Sequence, residues 1–444
     1  MSALHASAAS SAALRSFEAQ WLAREADPLS PVREQAMQRL LELGLPTTRE
    51  ESWRYTNLRS LSAQSFVDAP RAPPGSIHPH ASLALLGEEA RVATLLVVNG
   101  YPVLPERMDL SINGIEISSL RELSRTDPIS AQRFLTPLPE GEEMRWQLLN
   151  TALFVDGLYL RVRTRVATPL IILHLATADS AGRAAYPRTI IEASPSSSAT
   201  IIEHHVQQGP ETPLINSATQ LLLERDADIE HYRVFATDQR TAHFDSLEIR
   251  QQRDSRCRQF TIALGGGLVR TSLAARLEQS GARSDCYSLL MGHEERHVDC
   301  VNVVRHAAPA TLSRQTARAI ASGTSRVIFN SKVVVEAGAA QADSRQSSRG
   351  LLLSPSAEID SRPQLEIHTD EVKCAHGATT GRLDPNMLFY MLSRGIDRDT
   401  AQSLLVYAFL ADVLTDMSVT EARTAIENAL IAQLPDPQVL QKFR

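Results

Sequence analysis

Cys374 and His376, in the run Lys-Cys-Ala-His-Gly, are separated by a single residue. On an extended backbone that spacing sends both side chains to one face. A thiolate beside an imidazole is a soft pair suited to iron or zinc, or a thiol activated by its neighbour. Structural tetrahedral metal sites usually take four ligands. Two therefore leave an ion or cluster in need of ligands from a partner or from elsewhere in the fold. The plain alternative is a buried cysteine followed by a histidine that caps the next turn. Asp370, Glu371 and Lys373 lie beside the pair, in the densest polar stretch of the chain, Arg362 to Asp384.

Three other stretches resemble chemistry. His293-Glu-Glu-Arg-His297 is the zinc-protease spacing, which works only on a helix, where the two imidazoles fall one turn apart. Here Gly292 precedes it, and the following "HVDCVNVVRH" alternates like a strand. If the segment is extended, the two rings stand roughly 13 Å apart, too far for one ion; if it is a turn, the helical geometry is lost as well. The motif is read as a decoy. "LGGGLVRTS", Leu264 to Ser272, lacks the lysine of a phosphate loop and reads as a close-packed turn, so this chain is expected to bind no nucleotide. In Glu203-His204-His205 adjacent side chains alternate across a strand, so at most two converge, and a polar rung is expected.

The bulk composition narrows the class. The chain has 444 residues, 22% charged and 43% hydrophobic, the balance of a globular protein with two or three domains. A net charge of −6 provides no basic field for nucleic acid. No apolar run approaches the roughly 20 residues that span a bilayer, so no membrane partner is expected. The Ala/Ser-rich start lacks a basic region followed by an apolar core and reads as a frayed terminus rather than a secretory signal. Cys257, Cys286, Cys300 and Cys374 form neither a CxxC pair nor a disulfide framework, which fits a reducing, cytoplasmic compartment.

Helical punctuation marks both ends of the chain. Leu14, Phe17, Trp21 and Leu22 share a helical face. Ser30 is placed to cap a second helix that Pro31 opens and Gly44 closes. The Pro-rich run Ala69 to Pro79 reads as a loop, and Ala93 to Gly100 as a buried strand ending in a turn. Beyond about residue 384, Asp384 and Pro385 open a helix that ends at Gly395, and "TAQSLLVYAFLADVL" forms a second. A third carries Ser418 and Glu421 at capping-box spacing, with Pro435 just beyond.

From about residue 150 to 384 the chain is a series of short apolar or alternating runs, from "TALFVDGLYLRV" onward, with no helical pattern. Small residues at Ala199, Ala227, Ser255, Ala282, Ala310 and Gly338 recur at intervals of 28, 28, 27, 28 and 28. A steady period near 28 with only short strands predicts stacked β-rungs, a parallel β-helix, because corners that stack closely exclude bulk. A β-sandwich is the alternative. The domains are drawn at 1–140, mainly helical; 141–378, the coil; and 379–444, helical.

The stretch Ser361 to Ile396, "SRPQLEIHTDEVKCAHGATTGRLDPNMLFYMLSRGI", resembles the signature of the SufB/SufD family of the SUF iron–sulfur cluster assembly system. "HVDCVNVVRH", "GGGLVR" and the run from Ser325 to Asp360 extend the resemblance upstream, and "GLPTTREESWRYTNL" carries it to the N-terminal region. Matches span residues 44 to 410, and "ESWRYT" with "HGATTGRLD…FYMLSRG" looks like the SufD branch. His368, Thr369 and Glu371 depart mildly from the family pattern.

The resemblance implies a right-handed parallel β-helix flanked by helical domains, in a non-enzymatic scaffold subunit. It implies pairing with a SufB-type subunit through the coil, and a SufC-type ATPase bound at the C-terminal helices, where Phe389, Tyr390, Arg394 and Gly395 are the expected contacts. Self-pairing of the isolated chain is open. Cys374 and His376 map onto the family's KCxHG motif, at the interface where a transient iron–sulfur cluster would be shared with SufB. One rival is a SufB-like role, in which this chain itself receives persulfide sulfur on one of its other cysteines; those are expected at the recurring corners, packed between rungs. Another is a carbohydrate-active β-helix enzyme, which the lack of clustered carboxylates disfavours.

Overall fold

From Leu158 onward the chain repeats one unit: a strand, a corner, a second strand, a second corner. The structure is a computed structural model that describes residues 11–71, 94–104, 110–112, 114–136, 144–177, 182–209 and 213–433. Successive strands go to alternate sheets. Leu158–Val162, Arg188–Ala193, Leu214–Leu223, Ala242–Gln251, Leu268–Leu277, His297–His306, Arg326–Val335 and Glu358–Ile367 stack in one. Leu170–Thr177, Ser198–Gln208, Asp228–Ala236, Arg256–Ala263, Arg283–Gly292, Leu312–Ala321, Ala342–Leu352 and Val372–Arg382 stack in the other. Every pairing among these strands is parallel, as in Asp228↔Arg256 and Leu268↔His297. This is the expected parallel β-helix, with helices at both ends, and not a sandwich.

The corners repeat for a steric reason, though not at the even period read from the sequence. Ser196, Asp226, Asp254, Gly281, Ala310 and Gln341 all have positive φ, between 54° and 77°. The residue after each is small or short and buried: Ser197, Ala227, Ser255, Ala282, Thr311 and Ala342. The intervals are thus 30, 28, 27, 29 and 31. Ala227, Ser255 and Ala282 are in the column that the sequence suggested. Ala199 lies two residues past it and faces the interior, Ala310 occupies the left-handed position itself, and Gly338 falls in the preceding turn. Additional residues at the turns stretch the period without disturbing the strand register. The Gly-rich stretch is a close-packed turn, as expected. A Cβ at Gly267 would stand 1.9 Å from the Gln239 carbonyl oxygen.

Alternation within each strand fills the coil with one stripe and covers it with the other. Inside, Ile201, Leu221, Ile229, Leu247, Ile249, Leu273 and Val304 form a continuous apolar core. Outside the first sheet, helices Ala12–Leu22, Ser30–Leu43 and Arg145–Leu153 pack over Leu214 and Phe244, with Trp146 stacked on Phe244 at 3.5 Å. The "ESWRYT" segment docks here as well. Trp53 is fully buried beneath the Arg270 guanidinium, 3.6 Å from its ring.

Several local readings need correction. All nine residues of Arg145–Leu153 are buried, so a helix without a polar face left no amphipathic period, and "TAL" was read as part of a strand. Leu14 and Phe17 face the core, but Leu22, near the helix end, is 69% exposed. Ser30 is the first helical residue rather than its cap; its hydroxyl instead accepts from the Asp27 amide at 2.8 Å. Gly44, at φ 66°, does close that helix. The strand at Thr94–Val98 ends in the positive-φ pair Asn99 and Gly100, as expected. The first ten residues, read as a frayed terminus, most of the Pro-rich run and Pro435 lie outside the described residues.

On the second sheet, Tyr232, Phe260 and Tyr287 form an outward aromatic ladder with ring centroids 4.7 Å apart. Helices Arg398–Leu414 and Thr420–Ile431 cover it with Val406, Leu410, Leu414 and Ile426. Ser418 makes no capping box. Its amide and hydroxyl donate to the buried Glu230 carboxylate at 3.0 and 2.6 Å, which ties the helices to the coil. Arg318 adds a second tie through Asp412.

Candidate functional site: the open end of the coil

The register places Cys374 and His376 at the ends of two interior columns. Ala199, Ile229, Cys257, Ser284, Ser313 and Ser344 lead to Cys374. Ile201, His231, Gln259, Cys286, Gln315 and Gln346 lead to His376. The two residues share a face, as their spacing predicted. They stand on the last strand, Val372–Arg382, most of whose residues are exposed because no further rung stacks on them.

That strand and its companion Glu358–Ile367 each pair on one side only among the described residues. The end of the coil therefore presents two strand edges with free backbone donors and acceptors, a template for pairing with another chain. Apolar side chains thin out toward it: Val333, Val335, Ala339 and Ala342 are buried, while Leu365, Val372 and Cys374 are only partly covered. Burial raises the Cys374 thiol pKa, partly offset by a backbone hydrogen bond at Ser344. His376 is exposed. Along the neighbouring edge, Lys332 and His368 hydrogen-bond to Glu366 and hold its carboxylate at about 2.

Just past this strand, Asp384 caps helix Pro385–Ser393 by accepting from the Asn386 amide, and Gly395 at φ 81° follows its end. The helix buries none of its residues. Met387, Phe389 and Tyr390 are 55%, 72% and 58% exposed, and Arg394 lies over the Tyr390 ring at 4.8 Å. Of the residues singled out here in the sequence, Phe389 and Tyr390 sit on this exposed helix, and Arg394 and Gly395 follow its end.

The remaining cysteines are interior, which corrects their expected place at the corners. Cys257 lies two residues after the corner Ser255, but Cys286 and Cys300 stand mid-strand, facing inward. Burial raises all three thiols, Cys286 to about 12 and Cys257 well above its usual value. Few thiolates form at such sites.

The zinc-protease motif separates as expected. His293 sits in a turn with its Nδ1 2.9 Å from Ser322 Oγ, Glu294 adopts φ 57°, and His297 opens the next strand with Nε2 2.9 Å from Thr56. His306 is buried between the Thr311 and Ser313 hydroxyls.

The Glu203–His205 run holds more than a polar rung. Glu203 and His205 point inward and His204 outward, so two of the three converge. His174, one rung before, and His231, one rung after, join them. Both donate from Nε2 to Glu203 at 2.8 Å. Burial opposes the Glu203 charge, yet hydrogen bonds from these two imidazoles hold the carboxylate well below its usual range. Sequence reading missed both histidines. Their spacings from Glu203, 29 and 28 residues, are one turn of the coil and were the available signal.

Residues 174–409 match the model of the SUF system FeS cluster assembly, SufBD core domain, and residues 14–172 match that of the SufBD protein N-terminal region. The iron–sulfur cluster assembly protein SufD of Escherichia coli is 30% identical over 86% of this chain and 88% of its own. A SufBD family protein of Synechocystis is 27% identical over 86% of each chain. The SufD of Bacillus subtilis is 25% identical over 88% of this chain and 90% of its own.

Proposed function

Because the chain belongs to the SufBD family of SUF-system iron–sulfur cluster assembly proteins, we propose that it is a non-catalytic scaffold subunit that offers Cys374 and His376 to a nascent cluster. The observation that carries this reading is their joint position on the exposed last strand, beside two unpaired edges. The cluster is cargo, held transiently. A SufB-type subunit adds its own strands at the free edges and supplies the ligands that two side chains cannot. A chain that docks there meets a thiol and an imidazole directed at the junction.

A SufC-type ATPase docks on helix Pro385–Ser393 through Phe389 and Tyr390, with Arg394 and the turn at Gly395 at its border. An apolar helix face this exposed, next to the junction, suits a partner that reshapes the junction when it moves. This chain binds no nucleotide itself; its Gly-rich stretch is filled by its own backbone. Among the described residues no helix is long and apolar enough to cross a membrane. We place the assembly in the cytoplasm, where four free cysteines remain reduced. The persulfide-receiving role gains little support, since Cys257, Cys286 and Cys300 are buried and have raised pKa values.

The test is anaerobic co-expression with the cognate SufB and SufC, wild type against His376→Ala and Cys374→Ser, with iron and acid-labile sulfide measured on the purified complex. An intact complex that loses its cluster supports the reading. A mutant complex with full iron and sulfide refutes the assignment of that residue.

A further inference from the structure

Six rungs from the open end, at roughly 4.8 Å per rung or about 29 Å away, lies the His174–Glu203–His205 cluster inside the coil. Glu203 is fully buried, and its four partners are two imidazoles and two hydroxyls: His174 and Thr189 on Oε2, His231 and Thr219 on Oε1. Among the described residues no arginine or lysine makes a salt bridge to it. Arg233, its neighbour in the column, is taken by Asp245 and Thr261.

His205 adds the second observation. It is 2% exposed, and among the described residues both of its ring nitrogens lack a hydrogen-bond partner. The ring stacks on His174 at 4.5 Å and on Phe235 at 5.1 Å, with the edge of His243 at 5.0 Å. Stacking on Phe235 would serve a phenylalanine equally well, so packing alone does not explain an imidazole there. Buried nitrogens of this kind are nearly always satisfied. Ligand atoms of His174, Glu203 and His205 all lie within 4.8 Å of one another. One divalent ion at that point would occupy a lone pair of His205 and find an anionic ligand beside it in Glu203.

We propose that His174, Glu203 and His205 form a divalent-metal site inside the coil, separate from the cluster-assembly pair. Two imidazoles and one carboxylate, with no thiolate, suit a first-row ion such as Zn2+ rather than Mg2+ or Ca2+. His231 and Thr219, on the far oxygen of Glu203, orient the carboxylate as outer partners of a metal ligand commonly do. The ion bridges strands Leu170–Thr177 and Ser198–Gln208 and so fastens the first rungs of the second sheet.

The test uses the full chain purified without chelator, with first-row metals measured by plasma mass spectrometry and Co2+ added as a spectroscopic probe. The expected result is close to one metal per wild-type chain, d–d bands of nitrogen and oxygen ligation, and at least a tenfold loss of occupancy in His205→Phe. That variant keeps the stack on Phe235. Glu203→Gln, close in shape, gives a second loss, and Cys374→Ser with His376→Ala gives none. A wild type without metal would mean that buried water satisfies His205 and would overturn the proposal. So would full occupancy in a folded His205→Phe, or a thiolate-to-cobalt charge-transfer band. Should both variants fail to fold, X-ray absorption on the wild type decides: imidazole scattering supports the site, and sulfur scattering or no bound metal refutes it.

Discussion

His376 is the register partner of Gln346, and the pair end a column that starts at the apolar Ile201 and turns polar at His231. Gln346 is buried with neither amide atom partnered among the described residues, whereas His376, one rung further out, is exposed. The fold therefore invests little in His376. His376→Ala should leave the stability of the isolated chain within about 0.5 kcal/mol, as surface substitutions do. Denaturant unfolding of the isolated protein checks this. A loss of several kcal/mol would make His376 a structural residue and undercut its role with the cluster.

One acceptor gathers several of the donors at the junction between the coil and its C-terminal helices. Glu230 takes the Ser418 amide and hydroxyl and pairs with Arg258 at 2.6 Å, and Tyr232 donates to it as well. Glu230→Ala leaves these donors stranded at a buried seam and should cost roughly 2 kcal/mol. The loss should be local. Limited proteolysis and hydrogen exchange should show Arg398–Leu414 and Thr420–Ile431 opening first, with the coil protected. Uniform loss of protection would contradict the assignment.

The aromatic ladder beneath those helices makes a sharper demand. Phe260 is fully buried and touches rings on both sides. Phe260→Ala deletes the middle of the stack and should destabilise the protein by about 3–5 kcal/mol. Phe260→Leu, which keeps most of the volume, should cost clearly less. Thermal melts of the two variants compare them directly, and equal losses would mean that volume is not what the site requires.

The coil was legible because its cause is local: tight corners admit only small residues, and strands alternate. The register was less so. Ala310 and Gly338 fitted an even period because small residues also occupy left-handed positions and turns, which composition does not distinguish from the stacked column. The helix Arg145–Leu153 was hidden by complete burial, which erases the period that marks a helix. Cys374 and His376 were visible from a two-residue spacing that a strand converts directly into a shared face. His174 and His231 were not, because they meet Glu203 only through the turn of the coil. The failure of His293 and His297 as a metal pair was readable from Gly292 and the strand that follows them.

His306 sets a pH limit on the fold. It lies inside the coil with Nδ1 2.7 Å from Thr311 Oγ1 and Nε2 2.8 Å from Ser313 Oγ, and burial lowers its pKa to about 4. The charged group that acts on it is Asp343, whose field opposes the shift without cancelling it. The unfolded chain binds a proton on this residue near the ordinary histidine value of 6.5, so between about 6.5 and 4 the unfolded state holds more protons than the folded one. Stability is then complete above 6.5 and falls as the pH drops through that window, by roughly 3 kcal/mol at most for this one group. His306→Gln, which keeps a donor and an acceptor but does not titrate, should flatten that slope while lowering stability at pH 7.5 by only about 1 kcal/mol. Urea unfolding of both proteins from pH 7.5 to 4.5 measures the difference. Parallel curves would mean that His306 takes up its proton at the same pH in the folded and unfolded chain, and that burial does not hold it neutral.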